Sequence, residues 1–152
     1  HADRYRFITR RRHIFKSAAL PSVRGVPLIQ GIGIDFVKVD RVRQMVLRRG
    51  KKGLNKLFTT REIDYCYRYR DPYPHLAARF TLKEAVLKAL GTGWRRPAKW
   101  TDIEVTPGVW GQPEVLVRGV LQRLFARKGV GEIHASVSHS SGFVVSVAVL
   151  ES

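Results

Sequence analysis

Apolar positions change period several times along this 152-residue chain, and each change marks an element. The run Leu28-Ile-Gln-Gly-Ile-Gly-Ile-Asp35-Phe36-Val37 is rich in β-branched residues and interrupted by glycines. That predicts a buried strand that another backbone approaches closely. Val42, Met45, Val46 and Arg49 then fall at helical spacing. A helix is expected from Asp40, as N-cap, to about Arg49, with Gly50 and Gly53 ending it. Thr59-Thr-Arg-Glu62 has the form of a capping box and predicts a short helix through Tyr69, broken by Asp71-Pro-Tyr-Pro74. The longest helical signal runs from His75 to Leu90, with the stripe Leu76, Phe80, Val86, Leu87 and Leu90, and stops at Gly91.

The last third reads as strands around one helix. Asp102-Ile-Glu-Val105 and Glu114-Val-Leu-Val117 flank a turn region of Pro-Gly and Gly-Gln-Pro. Gly119 to Lys128 is helical in pattern. Glu132–Ser138 and Phe143–Leu150 alternate with period two around the hairpin signal Ser141-Gly142. The sum is an α+β fold, an antiparallel sheet packed against one long helix and shorter ones. Two units are expected, a basic extension and linker over 1–28 and a single domain over 29–152.

Charge enters as the outlier. A formal +16 predicts long-range attraction for anions such as nucleic acid, a polyphosphate ligand or an acidic protein. The stretch 1–30 carries Arg4, Arg6, Arg10, Arg11, Arg12, Lys16 and Arg24 against Asp3 alone. An arginine-rich, acid-poor leader of this kind reads as an organellar transit segment or a basic arm. The chain starts at His1 rather than a methionine, so further residues are expected to precede it. No apolar run reaches the roughly 20 residues of a membrane-spanning helix. The single cysteine, Cys66, has no internal disulfide partner.

Candidate chemistry gathers on the long helix. Glu84 and Lys88, four apart, project side by side, which suits either a surface ion pair or an anion and metal site. Lys83 falls within the apolar stripe, where a lysine needs an anionic partner. Beyond it, Leu90-Gly91-Thr92-Gly93 gives a backbone able to approach a phosphate. Asp35 stands in an apolar strand, so it is paired, protonated or metal-bound, unless it serves as a turn or cap residue. Asp35 with Glu84 would supply the one or two carboxylates that magnesium takes, beside phosphate oxygens and water. His139 shares strand parity with Ile133, Ala135 and Val137. Its neighbouring serines form no Gly-x-Ser-x-Gly elbow, and Gly31-Ile-Gly33 completes no dinucleotide fingerprint.

Taken together, Gly31-Ile-Gly-Ile-Asp35-Phe-Val, Phe58-Thr, Glu62-Ile and Ala78-Arg79-Phe80-Thr-Leu-Lys83-Glu84-Ala85-Val-Leu-Lys88-Ala-Leu-Gly91-Thr92-Gly93 resemble blocks of the holo-acyl-carrier-protein synthases. Asp102-Ile-Glu-Val105, Gly111-Gln-Pro113-Glu-Val and Ile133-His-Ala-Ser-Val-Ser-His139-Ser continue the resemblance in the family's order, from about Ile29 to the end. Thr81 and Leu82, where small residues are frequent, and Ser141, at a commonly charged position, depart from it. The resemblance implies a phosphopantetheinyl transferase fold and transfer of 4'-phosphopantetheine from coenzyme A to a serine of an acyl carrier protein. It implies Mg2+ held by Asp35 and Glu84, with Lys88 on the phosphate. Arg79, Lys83, Gly91, Thr92, Pro113 and His139 would line the coenzyme A site. Asp35 through a water is the first candidate for general base and His139 the second. Arg41, Gln44, Met45, Arg48 and Arg49 would receive the carrier protein, and the short members of the family are homotrimers with sites between subunits.

A rival from another class is a basic RNA-associated or assembly protein that keeps the transferase fold, with contact to RNA through the leader. The compartment expected from that leader is the mitochondrial matrix or another organelle, with bacterial cytoplasm as the alternative.

Overall fold

The computed structural model describes residues 26–93 and 97–152; residues 1–25 of the basic extension expected over 1–28 lie outside them. Strand β1 (Ile29–Lys38) runs directly into helix α1 (Val39–Leu57), followed by α2 (Thr60–Cys66) and the long α3 (Tyr73–Leu90). A 3-10 turn (Trp100–Asp102) leads into β2 (Ile103–Pro107) and β3 (Pro113–Val117). Helix α4 (Gly119–Arg127) and the hairpin β4 (Glu132–Ser140) and β5 (Phe143–Glu151) complete the chain. The strands form two antiparallel sheets, one ordered β1-β5-β4 and the other β2-β3.

Register in the larger sheet divides its residues cleanly between two faces. Gly31, Gly33, Asp35 and Val37 of β1 lie opposite Leu150, Ala148, Ser146 and Val144 of β5. These in turn lie opposite Ile133, Ala135, Val137 and His139 of β4. That face carries α3. Helix and strand touch because Gly31 and Gly33 have no side chains: a Cβ on Gly33 would sit 1.9 Å from Ala85 O, and one on Gly31 2.0 Å from Ala89 O. The opposite face presents Ile32, Ile34 and Phe36, each more than half exposed, with Phe36 stacked on Phe143 at 5.0 Å.

Helix α3 is buried on almost every side, more than its expected single stripe requires. Arg79, Thr81, Leu82, Lys83, Ala85, Val86, Leu87, Ala89 and Leu90 are all buried. The reason is position: its C-terminal half joins a core with β2, α4 and β5, and its N-terminal half another with α1, α2 and Val144. It begins at Tyr73, inside the run expected to break it, because Pro74 in the first turn lacks an N–H that would be unpaired there anyway. Gly91 ends it in the left-handed region at φ 74°.

Three other boundaries differ from expectation. Asp40 is not the N-cap of α1; it sits in the first turn, where its charge suits the helix dipole. The Val39 N–H instead donates to Gly142 O of the β4–β5 turn at 2.8 Å, so no side-chain cap is needed. Gly50 (φ 59°, ψ −165°) leaves the helical region and ends the first helical segment of α1 as expected, whereas Gly53 lies within a second segment, where a Cβ would meet Arg49 Cβ at 2.1 Å. Helix α2 ends at Cys66, short of Tyr69. Its capping box is present: Thr59 Oγ1 accepts from Glu62 N–H, and the Glu62 carboxylate accepts from Thr59 N–H at 2.8 Å.

Candidate active site

Asp35 on β1 and Glu84 and Lys88 on α3 converge at the β1 edge of the helix–sheet interface. Lys88 Nζ donates to Asp35 Oδ1 at 2.6 Å, with both side chains partly buried. The Glu84 carboxyl is held above the ordinary carboxylate range, chiefly by burial and then by the neighbouring Asp35 charge, while Lys88 and Arg41 oppose the rise. Arg41 of α1 thus belongs electrostatically to this group, a role its placement among docking residues did not anticipate. Its helix follows β1 without a loop, which brings it over Glu84. Two carboxylates and two cations here meet on elements that the glycines of β1 allow to touch.

Arg79, His75 and His139 form a second group. Arg79 lies about 140° around the helix from Glu84 and about 180° from Lys88, so it projects toward the β4 side. Its guanidinium lies 4.3 Å over the Tyr65 ring, and Nη1 donates to His75 O at 3.2 Å. With Thr106, Gly111, Pro113 and Val137, Arg79 lines a cavity of about 150 Å³. His75 is pushed below the usual histidine range by burial first, then by the charges of Arg79 and His139, against Asp71. His139 faces the helix side of the sheet, as its register with the buried Val144 requires, yet it is exposed at the strand end. One strand lies between it and Asp35, and the two are two residues out of register, a backbone separation of roughly 12 Å. One chain therefore does not bring Asp35 and His139 together.

The remaining expected residues sort plainly. Lys83 is fully buried, and its Nζ donates to Glu62 Oε2 (2.7 Å), Leu57 O (2.8 Å) and Trp100 O (3.3 Å). It carries the anionic partner its position demanded, but it has no surface on which to meet coenzyme A, which corrects that expectation. Gly91 and Thr92 follow α3 beyond Lys88; the Thr92 hydroxyl donates to Gly93 O, and Lys128 Nζ donates to Leu90 O beside them. Arg41, Met45, Arg48 and Arg49 surround a cavity of about 350 Å³ with Val37 and Phe80. Gln44 lies outside that lining, and its carbonyl accepts from Arg48 Nε at 3.3 Å. Tyr65, unmarked in the sequence reading, belongs to the second group. Its only sequence signal is an aromatic residue on the capped helix α2.

Residues 31–148 match the family model of the 4'-phosphopantetheinyl transferase superfamily. The chain is 42% identical over 121 residues to the holo-[acyl-carrier-protein] synthase of Chlamydia trachomatis serovar L2, covering 80% of this chain and 98% of the relative. Among solved structures it resembles the holo-[acyl-carrier-protein] synthase of Neisseria meningitidis, with a TM-score of 0.76 and 28% identity over 82% of this chain and 100% of that one. It also resembles the Helicobacter pylori enzyme in complex with coenzyme A, with a TM-score of 0.69 and 29% identity over 78% and 98% of the two chains. An α+β fold, a paired carboxylate site and these matches agree: the chain belongs to the 4'-phosphopantetheinyl transferase superfamily, among the holo-[acyl-carrier-protein] synthases.

Proposed function

We propose that this chain transfers 4'-phosphopantetheine from coenzyme A to a serine of an apo acyl carrier protein, in a magnesium-dependent reaction. The convergence of Asp35, Glu84 and Lys88 carries the reading. The donor set fits the ion: two carboxylates from facing elements are hard oxygen ligands, and Glu84 is raised first by burial and then by the Asp35 charge, both of which a bound cation would offset. Asp35 and Glu84 would hold the magnesium, whose charge would offset that of the pyrophosphate. Lys88 donates to the transferred phosphate as negative charge builds on it. The serine oxygen forms a bond to the pantetheine-side phosphorus, and the bond from that phosphorus to the oxygen of 3',5'-ADP breaks. Asp35, through a water, takes the serine proton; His139, which within one chain lies far from Asp35, is the second candidate and would come from a neighbouring copy.

Coenzyme A is proposed to lie between subunits of a homotrimer. The acid pair and Lys88 flank the β1 edge of α3, whereas Arg79, Pro113 and His139 flank its β4 side, so neighbouring copies would complete each site. Ile32, Ile34, Phe36 and Phe143 offer the apolar sheet face that such an assembly would cover. Gly91 and Thr92 would approach the phosphates. Arg41, Met45, Arg48 and Arg49, with Gln44 on the same helix, would receive the acidic carrier. The transferase domain is taken as 29–152 and residues 1–28 as a basic extension. No observation of the fold favours the RNA-associated alternative. No helix among the described residues is long and apolar enough to cross a membrane. The organellar compartment rests on the leader's arginines, whereas the bacterial relatives favour cytoplasm; a leader fusion to a fluorescent protein separates the two.

The decisive experiment mixes the chain with coenzyme A, magnesium and apo carrier protein, and reads the carrier by mass spectrometry. The expected product is the carrier plus phosphopantetheine. Unmodified carrier with wild-type chain and a carrier shown competent with another transferase would sink the proposal.

A further inference from the structure

Arg79 is an arginine in an unusual state. It is 6% exposed, its Nε has no hydrogen-bond partner, and no carboxylate pairs with it among the described residues. A buried guanidinium without an acid partner is poorly compensated unless other groups take up its charge. Three groups do so: the His75 carbonyl, the Cys66 thiol as a hydrogen-bond neighbour, and the ring of Tyr65. Arg79 Cζ lies 4.3 Å over the Tyr65 ring, which offers the negative face of its π-system.

The ring is itself braced. Tyr65 and Tyr69 hydroxyls are hydrogen-bonded at 3.0 Å. His75 meets the Tyr65 ring edge-on at 6.3 Å and stacks on Tyr69 at 3.7 Å. The same His75 gives its backbone carbonyl to Arg79 Nη1. Capping of α2 by Thr59 and Glu62 fixes the helix from which Tyr65 projects. The guanidinium is therefore clamped on one face by Tyr65 and along one edge by His75, and it shares with Tyr65 the cavity that reaches Thr106, Gly111 and Pro113.

We propose that Tyr65 is a positioning residue for coenzyme A binding: its ring holds Arg79, without a carboxylate, in the orientation that grips a phosphate of the coenzyme. This rests on the reading that Arg79 contacts coenzyme A. A carboxylate partner would compete with the ligand's phosphate for the guanidinium, whereas a ring face stabilises the cation and leaves its N–H groups available. Helix α2 thereby acquires a functional part, although no residue of it faces the carboxylate pair.

Steady-state kinetics of carrier modification test this with the full chain. Tyr65→Leu is expected to raise KM for coenzyme A about tenfold with kcat nearly unchanged, and Tyr65→Phe to stay near wild type. Arg79→Gln should raise the same KM at least as far, and adding Tyr65→Leu to it should change little more. Because Tyr65→Leu can perturb folding, phenylalanine carrying successive ring fluorines is also placed at position 65. Fluorination weakens the ring's negative face with little change in shape, so KM should climb with fluorine number, a trend a merely space-filling ring would not produce. If Arg79→Gln raises KM while neither Tyr65→Leu nor the fluorinated series does, the positioning role is overturned and the Arg79 reading survives. If Arg79→Gln leaves KM unchanged, the reading of Arg79 itself falls, and the role of Tyr65 with it.

Discussion

Lys88 of α3 donates to Asp35 of β1 at 2.6 Å, and the contact exists because two glycines let the helix rest on the strand. Gly33 is the tighter of the pair, since an added methyl would sit 1.9 Å from Ala85 O and 2.5 Å from Ala89 N, both backbone atoms that cannot swing away. Gly33→Ala is therefore expected to push β1 from α3. Overpacking of this kind destabilises by about 1–3 kcal/mol. Activity of the folded variant should drop further than stability explains, because Asp35 moves with its strand. Urea unfolding beside the transfer rate separates the two effects, and a fully active, equally stable variant would show that the approach is not needed.

Glu84 gives a pH signature. Burial and the Asp35 charge raise its folded-state value above the unfolded one, so the native state holds that proton more tightly. Its stabilising contribution is fully present below the unfolded value, about 4.3, and is lost as pH rises through the folded value. In EDTA, the melting temperature of wild type relative to Glu84→Gln should fall as pH climbs through that window toward neutrality. Magnesium at neutral pH should then raise the wild-type melting temperature and leave Glu84→Gln unmoved. A pH-independent difference between the two proteins would contradict the assignment.

Lys83 separates a structural cation from a ligand-binding one. Its ion pair with Glu62 is fully buried, and the same Glu62 carboxylate also accepts from Thr59 N–H and Val105 N–H. Lys83→Met leaves that carboxylate uncompensated, a loss of about 3–5 kcal/mol when a buried pair is broken from one side. Chemical denaturation should register it, while KM for coenzyme A in the folded protein stays near wild type. Unchanged stability with a raised KM would restore the coenzyme A role.

The same residue shows what the sequence made legible. Helical period placed Lys83 inside the apolar stripe and required an anion for it, but period along one helix does not name a partner 21 positions away on another. Elements were readable where local chemistry sets them: the Thr59–Glu62 capping box, Gly91 at the helix stop, and the Ser141-Gly142 turn, whose φ angles are 51° and 78°. Asp35 was readable because a carboxylate is out of place in an apolar strand, and Glu84 with Lys88 because four-residue spacing sets them side by side on the helix. Boundaries failed where tertiary contacts replaced local ones, as when Gly142 O took the place of an Asp40 cap. Tyr65 escaped notice because an aromatic ring carries no sign of the guanidinium it will face.

The carrier face has its own test. Arg48 and Arg49 stand at the cavity formed with Met45 and Phe80, on the side of α1 that leads toward Arg41 and Glu84. Arg48→Glu reverses charge there without touching the carboxylate pair. KM for carrier protein should rise and become less sensitive to salt, with KM for coenzyme A unchanged. Equal KM values for the carrier in both proteins would move docking elsewhere.

Assembly can be tested through the separation of the two residue groups. Glu84 and Lys88 lie on one flank of α3 and Arg79 on another, about 140° and 180° around the helix, so a site built from both needs two subunits. Asp35→Asn damages only the first group and Arg79→Gln only the second. With coenzyme A held well below KM, each variant alone should be strongly impaired. After mixing and subunit exchange, an acid group from an Arg79→Gln subunit can face an intact Arg79 from an Asp35→Asn neighbour. In random cyclic trimers about one interface in four has that pairing, so activity should recover to about a quarter of wild type. Placing Ile34→Asp in both chains puts a charge on the apolar sheet face, which is 59% exposed at Ile34 in the single chain. That change should yield monomers by light scattering and abolish the recovery. Trimers that form yet show no recovery after demonstrated exchange would mean that each site is built within one chain.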